Sequence, residues 1–381
     1  MMKRILYFVF WVIFCTSCGN FLEEYSQDLV YAQSCEDLDE ILIGNGYMAQ
    51  PTTPSYFSYG DKAFYYPYLH VMDDDIEEYL TGNANISSSI NPVTTLRNFY
   101  IWAKEPFMRI SGLTFRDYDW KRMYEHIGYL NVIISYVKEF HEDSEEMRHR
   151  ILGEAQFLRA GYYFMLVNLY ANPYSKETAD ATMGVPLNLT EYIEEGYFSR
   201  DPVAAVYRQI VTDLENAIVN LSGIKQPTIY RVNEKAARAL LSRVYLYMQD
   251  WENAKSTAEK LLAQNGALLD YSSIAENTEG YAISEKSPEL LFSQGPLNLQ
   301  CEFSGSGGDF CVSNDLYKLY DENDYRQTIY FTRSTQSDSL GLNRKYQMGK
   351  HRSYVSDIFT LRTAEGYLNA AEACAMLGDA G

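Results

Sequence analysis

The chain has 381 residues, with 51 Asp and Glu against 32 Lys and Arg and a formal net charge of −19. That length suits one large core or one extended repeat domain, and the charge excludes a nucleic-acid partner, whose phosphates need a basic surface. The 34 tyrosines, beside 18 Phe and 4 Trp, offer flat apolar faces with a hydrogen-bonding tip, suited to interfaces, to sugar rings and to packing between helices.

Lys3 and Arg4 precede an unbroken apolar and aromatic run, Ile5 to Phe14. As a helix that run covers about 15 Å, half of a hydrocarbon core of about 30 Å. It reads as a signal-peptide h-region and not as a spanning helix. Small residues, Thr16 and Ser17, stand directly before Cys18-Gly19. A thiol there suits thioether attachment of a diacylglycerol, with cleavage leaving Cys18 as an acylated N-terminus. Residues 1–17 are therefore expected to be a lipoprotein signal, with Cys18 the membrane anchor; a plain secretory signal is the alternative. Cys15 and Cys18 have redox or zinc spacing, but lie in the segment that is discarded or lipidated. No later stretch reaches about 18 consecutive apolar residues.

From Gly19 to about Ser111 periodicity is poor and Tyr, Pro, Asn, Ser and Thr abound, which predicts long loops with short helices. Helical spacing begins at Tyr118: Trp120, Tyr124, Ile127, Leu130, Ile134 and Val137 form one stripe. Met147, Ile151, Ala155, Leu158, Tyr162, Met165 and Leu169 form a second, stopped by Asn172-Pro173. The polar turn His141 to Ser144 predicts an antiparallel pair. Asp201-Pro202 reads as an N-cap with proline in the first helical position, opening a helix with Val203, Tyr207, Ile210, Leu214, Ala217 and Leu221 inside. Asn233 caps the next, with Ala237, Leu240, Leu241, Val244, Tyr247 and Met248 inside. Asp250 caps another, with Trp251, Ala254, Ala258, Leu261 and Leu262 inside and Gly266 past its end. Between Gln264 and Asp357 loops and short strands are expected, Glu289 to Ser293 among them. A last helix is expected from about Asp357 to Leu377.

The repeat signal is sharpest at Ala239 to Leu262. Small residues at Ser242, Ala254 and Ala258 flank a tight turn, Gln249-Asp250, while Tyr245 and Trp251 fill the gap. That pattern resembles a tetratricopeptide unit. Leu361 to Asp379 repeats its first half, and such a unit needs neighbours to cover its apolar face. The partner helix is missing here, so a C-terminally shortened chain is expected, with Tyr367, Ala371 or Cys374 partly uncovered. The rival expectation is that the loop-rich half folds back as a cap.

Cys301 and Cys311 bracket a Gly- and Ser-rich loop and are the one plausible disulfide; Cys35 and Cys374 read as buried thiols. Asp73-Asp74-Asp75 could hold calcium or supply catalytic carboxylates, but sequence neighbours diverge and repel, which favours a solvated turn. The isolated histidines lack zinc spacing, and Gly305-Ser306-Gly307-Gly308 lacks a phosphate-loop lysine. No cofactor and no catalysis are expected. For ligand binding the useful cluster is Asn98-Phe99-Tyr100-Ile101-Trp102, with Trp102 and Tyr100 as stacking rings and Asn98 and Asp74 as polar partners. Trp102 as a core residue anchoring the loops remains the competing assignment.

Several segments, in order, resemble the SusD/RagB family of surface lipoproteins. They are Cys18 to Glu23, Trp120-x3-Tyr124-x2-Ile127-x3-Asn131, Glu154 to Phe164 with Leu169-Tyr170, Gly184-Val185-Pro186-Leu187, Arg231 to Leu241, and Leu361 to Ala373. The resemblance implies a mainly α fold, a tetratricopeptide-like scaffold with an irregular loop-rich half carrying short helices and strands. The expected layout is one domain, 18–381: a loop-rich part (18–115), helical repeats (116–266), an irregular insertion (267–356) and a last, incomplete repeat (357–381). It also implies capture of an oligosaccharide as lid on a TonB-dependent SusC-like transporter, at the outer-membrane surface. A RagB-like peptide binder, a protein-binding repeat scaffold and a surface hydrolase are the alternatives.

Overall fold

The computed structural model describes residues 32–49, 65–78, 92–108, 112, 114, 117–192, 197–276, 280–294, 310–333, 339–342, 355–356 and 359–379. Cys18 and Cys301 fall outside them. In chain order come α1 (Cys35–Ile41), a π turn (Leu42–Gly46), a 3-10 turn (Pro67–Val71), β1 (Ile76–Glu78) and α2 (Pro92–Tyr100). The helical body follows as α3 (Asp119–Tyr136), α4 (Glu145–Tyr170), α5 (Val203–Asn220), α6 (Glu234–Tyr247) and α7 (Trp251–Gln264). Then come α8 (Tyr271–Glu276), β2 (Leu290–Ser293), β3 (Phe310–Val312), α9 (Asn314–Lys318), α10 (Tyr325–Tyr330), β4 (Phe331–Arg333), β5 (Leu340–Leu342), β6 (Thr360–Arg362) and α11 (Thr363–Leu377).

From α3 to α7 each helix packs on the next, and α11 packs on α7 and α6. The stripes explain this: Ile127 and Leu130 of α3, Ile151 and Leu158 of α4, and Tyr207, Ile210 and Leu214 of α5 are all buried in one core. Capping fixes where helices start. Ser144 accepts from the amide of Met147, Asn233 from that of Ala236 and Asp250 from that of Asn253, each at the first turn. The hairpin turn between α6 and α7 is tight enough to force Gln249 to φ +57°.

Strand pairings are short and antiparallel: β1 with β3, β2 with β6, β4 with β5. They tie the loop-rich segments to the helices. Pairing of β2 with β6 aligns Leu290 with Arg362 and Ser293 with Thr360.

Several expectations are corrected. The cap of α5 is Pro202, without a side-chain bond; the Asp201 carboxylate instead accepts from the Leu187 amide at 2.7 Å. α11 begins at Thr363 and not at Asp357, because Thr360–Arg362 are taken by the β2 pairing. Tyr247 lies outside, half-exposed, whereas α7 ends on Asn265 in an extended conformation with Gly266 past its end as expected. Of the expected Cys301–Cys311 pair only Cys311 lies among the described residues, buried and with its Sγ 3.8 Å from Glu77 Oε1. Cys35 is buried as expected, whereas Cys374 is only half-buried. Along α11 Tyr367 and Ala371 are exposed.

Candidate functional site

The candidate ligand corner forms where α2 ends. Phe99 anchors it: buried, stacked on Tyr68 at 4.5 Å between ring centroids and edge-on to Phe107 at 5.0 Å. With Phe99 fixed inwards, the residues just past the helix must turn outwards. The amide of Ile101 still bonds Arg97 O, that of Trp102 bonds Phe99 O, and that of Ala103 bonds Asn98 O. This is a helix end in which the left-handed position, where glycine is usual, is held by Trp102 at φ +51°. A bulky residue there costs on the order of 1–2 kcal/mol. Its side chain recovers none of that by burial, since Trp102 is 71% exposed, with Ile101 and Met108 exposed beside it.

The other expected residues divide. Tyr100 is half-buried; its hydroxyl accepts from the Glu78 amide at 3.3 Å and its ring lies against Phe310. It therefore binds α2 to the β1–β3 pair and is not a free platform. Asn98 donates its side-chain amide to Met108 O, closing the loop under Trp102. Asp74 is exposed in a turn where the Asp75 amide bonds Asp73 at 3.1 Å, at the opposite end of β1 from Glu78. Trp102 is thus held out in solvent, whereas Tyr100 and Asn98 fix the turn that carries it. Exposed Lys104 and Glu105, which directly follow it, were missed; polar residues in a proline-bounded turn after an aromatic were the available signal. The solvated-turn assignment fits Asp73 to Asp75, since all three side chains are exposed.

Deeper charges serve the scaffold. Glu154, fully buried on α4, accepts from Arg150 at 3.2 Å, Arg231 at 3.0 Å and Gln226 at 2.9 Å, and from the Tyr47 hydroxyl. Arg150 also forks onto Asp39 at 3.0 and 3.1 Å. Burial pushes Asp39 up, but Arg150 and Arg231 outweigh it and hold its carboxyl below the usual range.

The sequence of residues 72–246 matches the family described as SusD-like, starch-binding associating with outer membrane. A SusD-like protein of Formosa agariphila, P25, is 25% identical over 269 residues, 69% of this chain and 46% of that relative. The chain resembles SusD-like proteins in sequence and fold. It spans about half the length of this curated relative. A SusD-like carbohydrate binding protein of Bacteroides vulgatus superposes with a TM-score of 0.66 at 21% identity, covering 91% of this chain and 72% of that one. Surface glycan-binding protein A of Bacteroides uniformis gives a TM-score of 0.66 at 18% identity, covering 90% and 76%.

In this chain the residues that carry the resemblance are mostly joints. Asn131 donates to the carbonyls of Asn188 and Thr190 at 2.9 and 3.1 Å. Tyr124 donates to Pro186 O at 2.8 Å, and Arg200 to Gly184 O at 2.7 Å. Arg243 pairs with Glu365 of α11. No helix among the described residues is long and apolar enough to cross a membrane.

Proposed function

We propose that this chain is a surface lipoprotein, anchored through Cys18, that binds an oligosaccharide and passes it to a TonB-dependent SusC-like transporter in the outer membrane. It performs no chemistry on the ligand. The observation that carries the binding role is the exposed, left-handed Trp102. An indole face stacks on sugar C–H groups, and Lys104 and Glu105 beside it offer a donor and an acceptor for hydroxyls. The match to a family described as starch-binding, and a relative named for glycan binding, support a glycan over a peptide.

The test is a binding screen of the purified chain against polysaccharides and peptides, repeated with Trp102→Ala. Retention by a glycan that the variant loses, at an unchanged melting temperature, is the expected outcome. Capture of peptides alone, or glycan retention that Trp102→Ala leaves intact, would overturn it. Anchoring is tested separately by fatty-acid labelling, which Cys18→Ala should abolish.

A further inference from the structure

A second site is built on the helical body, on elements that contribute nothing to the Trp102 corner. A cavity of about 210 Å³ opens among α5, α6 and α7. Its polar wall holds Glu215, Arg238, Tyr245, Ser256, Thr257 and Lys260; Ile218 and Leu241 supply the apolar part. Helical spacing puts them there. Glu215 and Ile218 are three apart on α5, Arg238, Leu241 and Tyr245 recur at three and four on α6, and Ser256 and Lys260 are four apart on α7. The Asp250 cap turns α7 back along α6, so that the three stripes face one space.

The bonding state of this wall is uneven. Tyr245 donates to Glu215 Oε1 at 3.0 Å, which leaves Oε2 without a donor among the described residues. Arg238 holds Glu234 through Nε and Nη2 at 3.1 and 2.7 Å and keeps Nη1 over. The hydroxyls of Ser256 and Thr257 and the ammonium of Lys260 have no partner among the described residues, although Thr257 is only 8% exposed. In a chain with 51 acidic and 32 basic residues, a lysine that makes no ion pair among the described residues, on a wall whose carboxylate Glu215 is held by Tyr245, is a cation left for an outside anion. The space exceeds several waters at about 30 Å³ each and suits one sugar ring.

We propose that this cavity binds a single hexuronate unit. Its carboxylate meets Lys260 and the spare Nη1 of Arg238. Its hydroxyls bond Ser256, Thr257 and Glu215 Oε2, and its C–H face lies on Ile218, Leu241 and Tyr245. A neutral hexose leaves the ammonium unpaired, and a bare carboxylate leaves Glu215 and the apolar wall unused. The site stands independently of the role given to Trp102.

The experiment is calorimetric titration of the purified chain with glucuronate, glucose and acetate, using wild type, Lys260→Met, Thr257→Val and Trp102→Gly, each checked for an intact thermal transition. Glucuronate should bind saturably and glucose and acetate much more weakly. Lys260→Met should weaken glucuronate on the order of tenfold, as expected for one hydrogen bond to a charged group. Thr257→Val should weaken it severalfold, and Trp102→Gly should leave it unchanged. Absence of glucuronate binding, equal binding of glucose or of acetate, indifference to Lys260→Met, or loss on Trp102→Gly would each overturn the assignment.

Discussion

Arg159 of α4 grips Asp213 of α5 as a two-pronged fork, Nη2 to Oδ1 at 2.7 Å and Nε to Oδ2 at 2.8 Å, with both side chains buried. The remaining nitrogen of the fork, Nη1, donates to Asn131 of α3 at 2.9 Å. One guanidinium thus joins three consecutive helices. Asp213→Ala removes the counter-charge and strands the cation, for which a loss of about 3–5 kcal/mol is expected. Chemical denaturation with matched slopes checks it; a loss below about 1 kcal/mol would mean that water enters and solvates Arg159.

Trp102→Gly separates strain from function. Glycine adopts φ > 0 without penalty, so the variant should be as stable as wild type or gain about 1 kcal/mol. Glycan retention should fall at the same time. A marked drop in stability would show that the indole packs against the protein after all.

The histidines predict acid sensitivity. Burial pushes His70 down to about 3, and its Nε2 is buried without a partner. Burial also lowers His126, whose Nδ1 donates to Asn45 O while Nε2 accepts from the Tyr65 hydroxyl at 2.9 Å. A group whose folded pKa is depressed binds its proton more readily in the unfolded chain. The stability it contributes is therefore present above pH 6.5 and drains away as pH falls, by up to about 1.4 kcal/mol per pH unit for each histidine. For His70 that window runs from 6.5 down to about 3. His70→Phe should flatten the dependence between pH 6.5 and 5 in urea titrations; an unchanged slope would count against it.

Gly153 shows a contact where a helical glycine is an asset. A Cβ there would stand 2.6 Å from Leu221 Cγ and 3.1 Å from Asn220 Cβ at the end of α5. Alanine normally improves a helix interior by about 0.5–1 kcal/mol. Here overpacking should win, so Gly153→Ala is expected to cost about 1–3 kcal/mol. Thermal unfolding decides the sign.

Some of this was legible in the residues themselves. Apolar spacing gave α3 to α7 to within a few residues, because one buried face per helix imposes a period near 3.6. Asn233 and Asp250 announced their helices because a cap bonds amides only two or three residues on. The Asn98 to Trp102 stretch drew notice by composition alone. What each of its residues does was settled by partners far along the chain: Tyr100 by Glu78 and Phe310, Phe99 by Tyr68. The start of α11 likewise hung on β2, some seventy positions earlier in the chain, whose strand claimed Thr360–Arg362. The cavity among α5, α6 and α7 left no motif, since it exists only once three separate stripes face one another. Local periodicity is fixed by local bonding, whereas exposure, pairing and shared cavities depend on which distant surfaces close together.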